Sequence, residues 1–495
     1  MIDRWKRSWR LVSSVLVLVL VGLGTGLAGC SVLDTNLGRA VSEAIGLDPY
    51  ALDEGGRREL GRFDAVYRNY GLADTGSGPF EHFTDAFKRV RVDYVRPVGD
   101  AQLIDAAIKG VRDRESEPGS LAPGDLVESA LDAMLVSLDP HSLYLNPDEL
   151  HQTMVSTSGE FGGLGIEITD ENGIVKVVSP IEGTPAYRAG IKSGDVITHL
   201  DGGAIKGMTL MQSVMLMRGR PGTDIRLTVE RAGHPPFDVT ITRAIIKIVA
   251  VRWRTEGDIG YLRVATFSKA TGGGVAKAMR DIRHSLGRRM KGLVIDLRNN
   301  PGGLLDESVA LADAFVERGT LVSVRGRDTA ANHEYEATAG DLAEGLPMVV
   351  LINGGSASAS EIVAVALQDL GRATVMGGRS FGKGTVQTIM PLPKKGGLRM
   401  TTALYYSPSG RAIQAQGVIP DIAIDTGEEP KRRREADLPG ALVGLSAAPN
   451  ATRARLDAAD CPPAGDNDDR QLGCALVLLR ADSVSGFLAS LGKSL

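Results

Sequence analysis

A multidomain α/β fold is expected, with an N-terminal helical region, a smaller β-rich module and a larger unit built on a mostly parallel sheet. Three observations predict it. Between 79 and 155 apolar residues recur at helical spacing, as Phe83, Ala86, Phe87 and Val90 do. Between 156 and 245 short alternating runs are separated by Gly- and Asn-rich turns such as Asn172-Gly173. Beyond 246 continuous apolar runs, Leu293 to Leu297 and Met348 to Ile352, each end in a turn followed by a helical pattern. Strands buried on both faces read as unbroken apolar runs, and their alternation with helices implies a parallel sheet with covered faces. At 495 residues, 43% hydrophobic and 23% charged, the chain has ample core for two or three domains.

The chain opens on an address. Arg4, Lys6, Arg7 and Arg10 stand against Asp3, and an apolar run over 11–27 follows, the n-region and h-region of a signal peptide. Leu27-Ala28-Gly29-Cys30 resembles the bacterial lipobox. That resemblance implies cleavage before Cys30 and acylation of it. The chain would then be lipid-anchored in the bacterial envelope, facing the periplasm or another extracytoplasmic space, and Ser31 leans toward an outer-membrane destination. The alternative is an uncleaved anchor, for which the run is marginal against the roughly 20 apolar residues a spanning helix needs. Removing 1–29 takes away four basic residues and one acidic one, moving the net charge from -4 to -7. The basic footprint of a nucleic-acid binder is missing. With Cys30 acylated, Cys461 and Cys474 remain, and a disulfide between them suits an oxidising compartment. No C-x-x-C or H-E-x-x-H occurs, so no metal site is indicated.

Residues 30–78 read as a tether with some helix. The helical region over 79–155 has helices near Phe80 to Tyr94, Gln102 to Arg112 and Leu126 to Leu138, with a polar loop around 113–124. It closes on Leu138-Asp-Pro-His-Ser-Leu-Tyr-Leu145, where His141 tempts as a base. The β-rich module over 156–245 begins with Phe161-Gly-Gly-Leu-Gly-Ile-Glu-Ile168, a Gly-rich loop entering a strand. It includes a helix at Thr209 to Met217 and a strand at Asp224 to Arg231. Met208, Met211, Met215 and Met217 suit both core and an adaptable apolar pocket.

Over 246–425 two strand–turn–helix units stand out. One turn is Arg298-Asn-Asn-Pro-Gly-Gly303 and the other Asn353-Gly-Gly-Ser-Ala-Ser358. Such turns lie at the carboxyl ends of strands, where α/β sheets hold ligands, and free N–H groups at the helix start can stabilise an anion. Taken alone, Ser358-x-x-Glu361 is a capping box. Lys383 between Gly382 and Gly384 shifts the balance, because a desolvated lysine sheds its proton and can serve as a base for a serine. Gly377 to Lys383 nearly matches a phosphate-binding loop, but Gly384 stands where a hydroxyl is needed. Residues 426–495 read only as a partly ordered tail.

Ser-Ala-Ser358-Ala-Ser-Glu followed by Phe-Gly-Lys383-Gly-Thr-Val-Gln387 resembles the carboxy-terminal processing proteases, tail-specific serine endopeptidases of the S41 class. The L-D-P-H-S-x-Y-L and N-P-G-G segments extend the resemblance from about Pro79 to Asp425. It implies Ser358 as nucleophile, Lys383 as general base and Gln387, one helical turn on, orienting the lysine. It further implies an oxyanion hole from the Gly303 and Ala359 N–H groups, a structural His141 and no cofactor. The 156–245 module resembles a circularly permuted PDZ domain. There Gly163, Leu164, Gly165 and Ile166 would capture a substrate carboxylate. The implied partners are proteins with exposed apolar C-termini, a separate lipoprotein adaptor, and further copies of the chain. From another class, the same residues could form a PDZ adaptor on an inactive or partner-activated protease scaffold.

Overall fold

The computed structural model describes residues 48–493 except 72–76, 115–121, 158–159, 171–174, 182, 207, 209, 248, 394, 428–432, 444–453, 466–467 and 482. The signal segment, Cys30, the Asn172-Gly173 turn and most of the 113–124 loop lie outside the described residues. No described helix is long and apolar enough to cross a membrane.

Four helices open the described chain, α1 (Glu54–Tyr70), α2 (Ser77–Asp93), α3 (Asp100–Arg114) and α4 (Pro123–Val136). α1 differs from the expected tether. Its Phe63 and Tyr67 are buried against Phe80 and Phe83 of α2, so it belongs to the helical core. β1 (Leu143–Leu145) and α5 (Pro147–Thr157) lead into the β-rich module. That module holds β2 (Glu160–Gly163), β3 (Ile166–Asp170), β4 (Val175–Pro180), α6 (Pro185–Arg188), β5 (Val196–Leu200), α7 (Leu210–Met217), β6 (Asp224–Glu230), β7 (Phe237–Thr242) and β8 (Ala244–Lys247). Its main sheet runs β3-β4-β5-β6-β7, which leaves β3 at an edge. Met217 is buried in its core and Met208 packs against that core.

The large unit follows with β9 (Val251–Glu256), β10 (Ile259–Val264), α8 (Thr271–Leu286), β11 (Gly292–Asp296), α9 (Leu305–Asp313), β12 (Thr320–Gly326), β13 (His333–Glu336), β14 (Met348–Ile352), α10 (Ala359–Asp369), β15 (Thr374–Gly377), β16 (Thr385–Pro391), β17 (Gly397–Tyr406) and β18 (Ile422–Asp425). The last segment contributes β19 (Ala454–Asp457), α11 (Arg470–Arg480) and α12 (Val484–Ser490). The main sheet has the order β9-β10-β11-β14-β15-β18-β19, parallel from β10 onward. A second sheet, β1-β17-β12-β13 with β16 beside β17, joins this unit to the N-terminal helices through Leu398 and Met400.

The tail reading needs correcting. β19 extends the main sheet, and α11 and α12 cover one of its faces. Strand side chains alternate between two buried faces. Leu262, Leu293, Ile295 and Val350 meet α8, α9 and α10. Val294, Val349, Leu351 and Ile424 meet α11 and α12 through Leu472, Leu479, Phe487 and their neighbours. Cys461 and Cys474, both buried in that second layer, form a disulfide.

Candidate active site

β11 and β14 are adjacent and parallel, so the turns that leave them emerge side by side. Serines rivet the two turns together. The Ser356 hydroxyl donates to the Leu297 carbonyl at 2.8 Å, the Ser360 hydroxyl to the Asn300 carbonyl at 2.9 Å, and the Ala357 N–H to the same carbonyl at 3.0 Å. Ser358 lies between these rivets at the cap of α10, with φ 56° and ψ -115°. A non-glycine residue held there costs on the order of 1–3 kcal/mol, so the surroundings must enforce it.

The facing turn approaches closely. A Cβ on Gly302 would come within 2.9 Å of the Ser358 Cβ, and one on Gly303 within 2.0 Å of the Phe267 carbonyl oxygen. Gly303 also has φ 143°, a conformation glycine alone adopts freely. The Gly302 N–H is used, donating to Asn300 Oδ1 at 2.9 Å. Among the described residues the Gly303 and Ala359 N–H groups have no acceptor. Two unpaired N–H groups beside Ser358 can receive an oxyanion.

Glu361 joins Ser358 to Lys383. Its carboxylate is fully buried, and Oε2 accepts the Ser358 N–H at 2.7 Å and the Lys383 N–H at 2.9 Å. Oε1 accepts the Gly382 N–H at 2.7 Å and the Ser380 hydroxyl at 2.5 Å. Burial pushes its pKa up to about 7 against those four donors. The capping box is therefore only part of what Glu361 does, and the Ser-x-x-Glu spacing alone could not reveal the second partner. The Gly382 and Lys383 N–H groups are bound to this carboxylate and those of Gly378, Ser380 and Phe381 to the Ile352, Val418 and Ser356 carbonyls, so the 377–383 loop does not offer these donors to a phosphate. Lys383 is shifted the other way. Burial first, then the Arg399 guanidinium, lowers its pKa to about 8, opposed by Glu435, Glu361 and Asp139.

Gln387 departs from the expected geometry. It lies on β16, not one helical turn beyond Lys383, and a register shift between Val386 and Gln387 re-aims it. Its amide donates to the Thr385 and Thr401 hydroxyls at 2.8 and 3.3 Å rather than to Lys383. The Thr401 hydroxyl donates to the buried Asp139 carboxylate at 3.1 Å, so the L-D-P-H-S segment buttresses this wall from behind. His141 is engaged elsewhere than at Ser358. Its Nε2 pairs with the buried Glu435 carboxylate at 2.8 Å, and Glu435 in turn accepts from the Gln414 amide at 2.9 Å.

In the β-rich module Gly163 ends β2, Leu164 is buried, Gly165 has φ 78° and Ile166 opens the edge strand β3. The Gly165 and Leu164 carbonyls accept from Ile181 and Ala186 at 2.8 and 2.9 Å, which fixes the loop from its carbonyl side.

A serine at a strained strand-to-helix turn, beside two N–H groups that have no acceptor among the described residues, has the arrangement of a serine-peptidase scaffold. Residues 258–424 match the model of peptidase family S41, and 162–241 that of the PDZ domain. A carboxy-terminal-processing protease of Bartonella bacilliformis is 45% identical over 408 residues, covering 81% of this chain and 88% of that protein. A probable CtpA-like serine protease of Staphylococcus aureus is 38% identical over 308 residues, 61% of this chain and 60% of that one. Among solved structures, a photosystem II D1 C-terminal processing protease aligns at 32% identity over 69% of this chain and 92% of its own, with a TM-score of 0.46. The chain belongs to the carboxy-terminal processing serine proteases of family S41 and carries their PDZ domain.

Proposed function

We propose that the chain is a serine endopeptidase that recognises substrate C-termini and cleaves through a Ser–Lys mechanism. The observation that carries this is the single carboxylate oxygen of Glu361 holding the backbones of Ser358 and Lys383 together, with the Gly303 and Ala359 N–H groups lacking an acceptor among the described residues. Neutral Lys383 takes the Ser358 hydroxyl proton as the serine oxygen attacks the peptide carbonyl. The oxyanion forms against Gly303 and Ala359, the leaving amine takes a proton from Lys383, and water hydrolyses the acyl-enzyme. The substrate's C-terminal carboxylate is received by N–H groups of the Gly163–Ile166 loop while the adjoining segment pairs with β3. Exposed apolar tails on proteins are the substrate class. The lipid anchor at Cys30 and an extracytoplasmic position belong to the same reading.

Incubating the chain with an unfolded protein ending in an apolar tail tests it, with fragments followed by mass spectrometry. The parent is expected to cut, and Ser358→Ala and Lys383→Ala are not. Lysine must be deprotonated to act as base, so the rate should climb through pH 8, the region to which Lys383 is lowered. Equal rates at pH 6 and pH 9 would remove lysine from the role. One observation favours a gated form of the same enzyme, namely the Gln387 amide turned to Thr385 and Thr401. In that form a bound tail or partner completes the lysine's surroundings. Peptide added in trans would then raise the rate on a second substrate.

A further inference from the structure

The C-terminal segment is tied to the N-P-G-G turn at Arg298. Arg298 opens that turn, and its side chain is 14% exposed. On one side it binds Asp296 of its own strand, Nη2 to Oδ2 at 2.7 Å and Nε to Oδ1 at 3.0 Å. On the other it makes a two-pronged pair with Asp469, Nη1 to Oδ1 at 2.9 Å and Nη2 to Oδ2 at 2.5 Å. Nη1 also donates to Gln471 Oε1 at 3.0 Å. Asp296 is shared further, accepting the Tyr261 hydroxyl at 2.7 Å and Arg263 Nη1 at 3.0 Å. Two carboxylates thus balance two guanidinium groups.

Asp469 is an anchored partner. Its N–H donates to the Ala464 carbonyl at 2.8 Å, and its Oδ1 caps α11 by accepting the Leu472 N–H at 3.0 Å. It lies inside the loop closed by the Cys461–Cys474 disulfide. Gly473 packs so tightly that a Cβ there would come within 1.7 Å of the Pro462 carbonyl oxygen. From Arg298 the chain runs through Asn299, whose N–H donates to Asn353 Oδ1 at 2.8 Å, and Asn300, whose amide donates to the Val264 carbonyl at 2.9 Å. It then reaches Gly302 and Gly303. Those other anchors all come from 246–425. Arg298 carries the attachment to the C-terminal segment.

We propose that Asp469, with Gln471 beside it, is a positioning residue for the proteolytic reaction, setting the aim of the Gly303 N–H through Arg298. The proposal rests on the serine-peptidase reading above. A fork-to-fork ion pair fixes direction as well as distance. A donor aimed at an oxyanion does its work only in the transition state, so its misalignment lowers kcat and leaves substrate binding alone. The C-terminal segment then acts on the reaction as well as covering the sheet.

The test uses the whole chain with Asp469→Asn, and with Gln471→Ala as a milder version should the first fold poorly. Asp460→Asn is the control, because Asp460 lies in the same segment and pairs with Lys493 at 3.0 Å, apart from Arg298. Asp469→Asn is expected to lower kcat on the order of 10-fold. KM and the affinity for a tail peptide should stay within about twofold of the parent, as a loss confined to the transition state requires. Gln471→Ala should shift kcat in the same direction by less, and Asp460→Asn should leave it alone. Hydrogen exchange over 298–304 reads the clamp without turnover and should quicken in Asp469→Asn, less in Gln471→Ala, and not in Asp460→Asn. Parent kcat together with parent exchange in Asp469→Asn would overturn the proposal. So would an equal fall of kcat in Asp460→Asn. A parent chain that fails to cut would instead count against the peptidase reading, while the exchange measurement still decides whether Asp469 holds the turn.

Discussion

The two turns that meet at Ser358 are built alike and held differently. Both follow a buried parallel strand, both carry small residues, and both lead toward a helix. The Ser358 turn is held from within 246–425, by Glu361 three residues on, by the 380–383 loop bound to the same carboxylate, and by the Leu297 and Asn300 carbonyls of the facing turn. The N-P-G-G turn is held in part from far along the chain, through Arg298 and Asp469. The difference teaches that the candidate serine is fixed from within one stretch of the chain, 246–425. Donors that must face it from another strand depend on whatever closes the sheet around them.

Substitutions can break this comparison at either turn. The largest effect is expected at the N-P-G-G turn from Gly303→Ala, whose added methyl meets the Phe267 carbonyl at 2.0 Å at a φ of 143°. Loss of one oxyanion donor lowers kcat by about 10²–10³. A folded Gly303→Ala chain with near-parent kcat would take that N–H out of the mechanism. The next largest is expected at the Ser358 turn from Glu361→Gln. The amide points its own N–H groups at one of the two donor pairs, leaving buried donors unpaired at about 1–3 kcal/mol. Chemical denaturation reads this cost. The pH dependence gives a second signature. Glu361 titrates near 7 when folded against 4.5 as its ordinary value. The folded chain therefore binds more protons between those values, and stability falls as pH rises through that window. Glu361→Gln should remove that slope, and an unchanged slope would assign it to another group.

The smallest effect sharpens the comparison by testing a residue outside both turns. His141→Asn is expected to cost about 1 kcal/mol through its lost bond to Glu435. The rise of the rate through pH 8 should persist. Disappearance of that rise would make His141 the base and displace Lys383.

Much of the site was legible because its parts are short-range. Ser358 and Lys383 stand out by their glycine- and alanine-lined surroundings, and the glycine pair of N-P-G-G by its place after a buried run. Gln387 was legible as a residue but not as a geometry, because a β-bulge and two threonines decide where its amide points. Glu361 was hidden behind an adequate local explanation, the helix cap. The tail was misread for a similar reason, since its charged and Ala-rich composition looks unstructured. One signal could have corrected it. Successive parallel strands laid down in one direction with right-handed crossovers place α8, α9 and α10 on one face of the sheet. The other face then needed cover from elsewhere in the chain.

By itself the sequence determined the alternation of strands and helices, the PDZ-like module, and the identity of the serine, the lysine and the close-approach glycines. Those follow from apolar period and from steric demands within a few residues. The tertiary structure alone decided that α1 belongs to the helical core and that 454–490 closes the sheet. It also decided that Glu361 spans two loops and that Asp469 grips Arg298. Each of these joins residues far apart in the chain or satisfies a buried charge from a distant segment. Local spacing carries no record of which distant residue will be there.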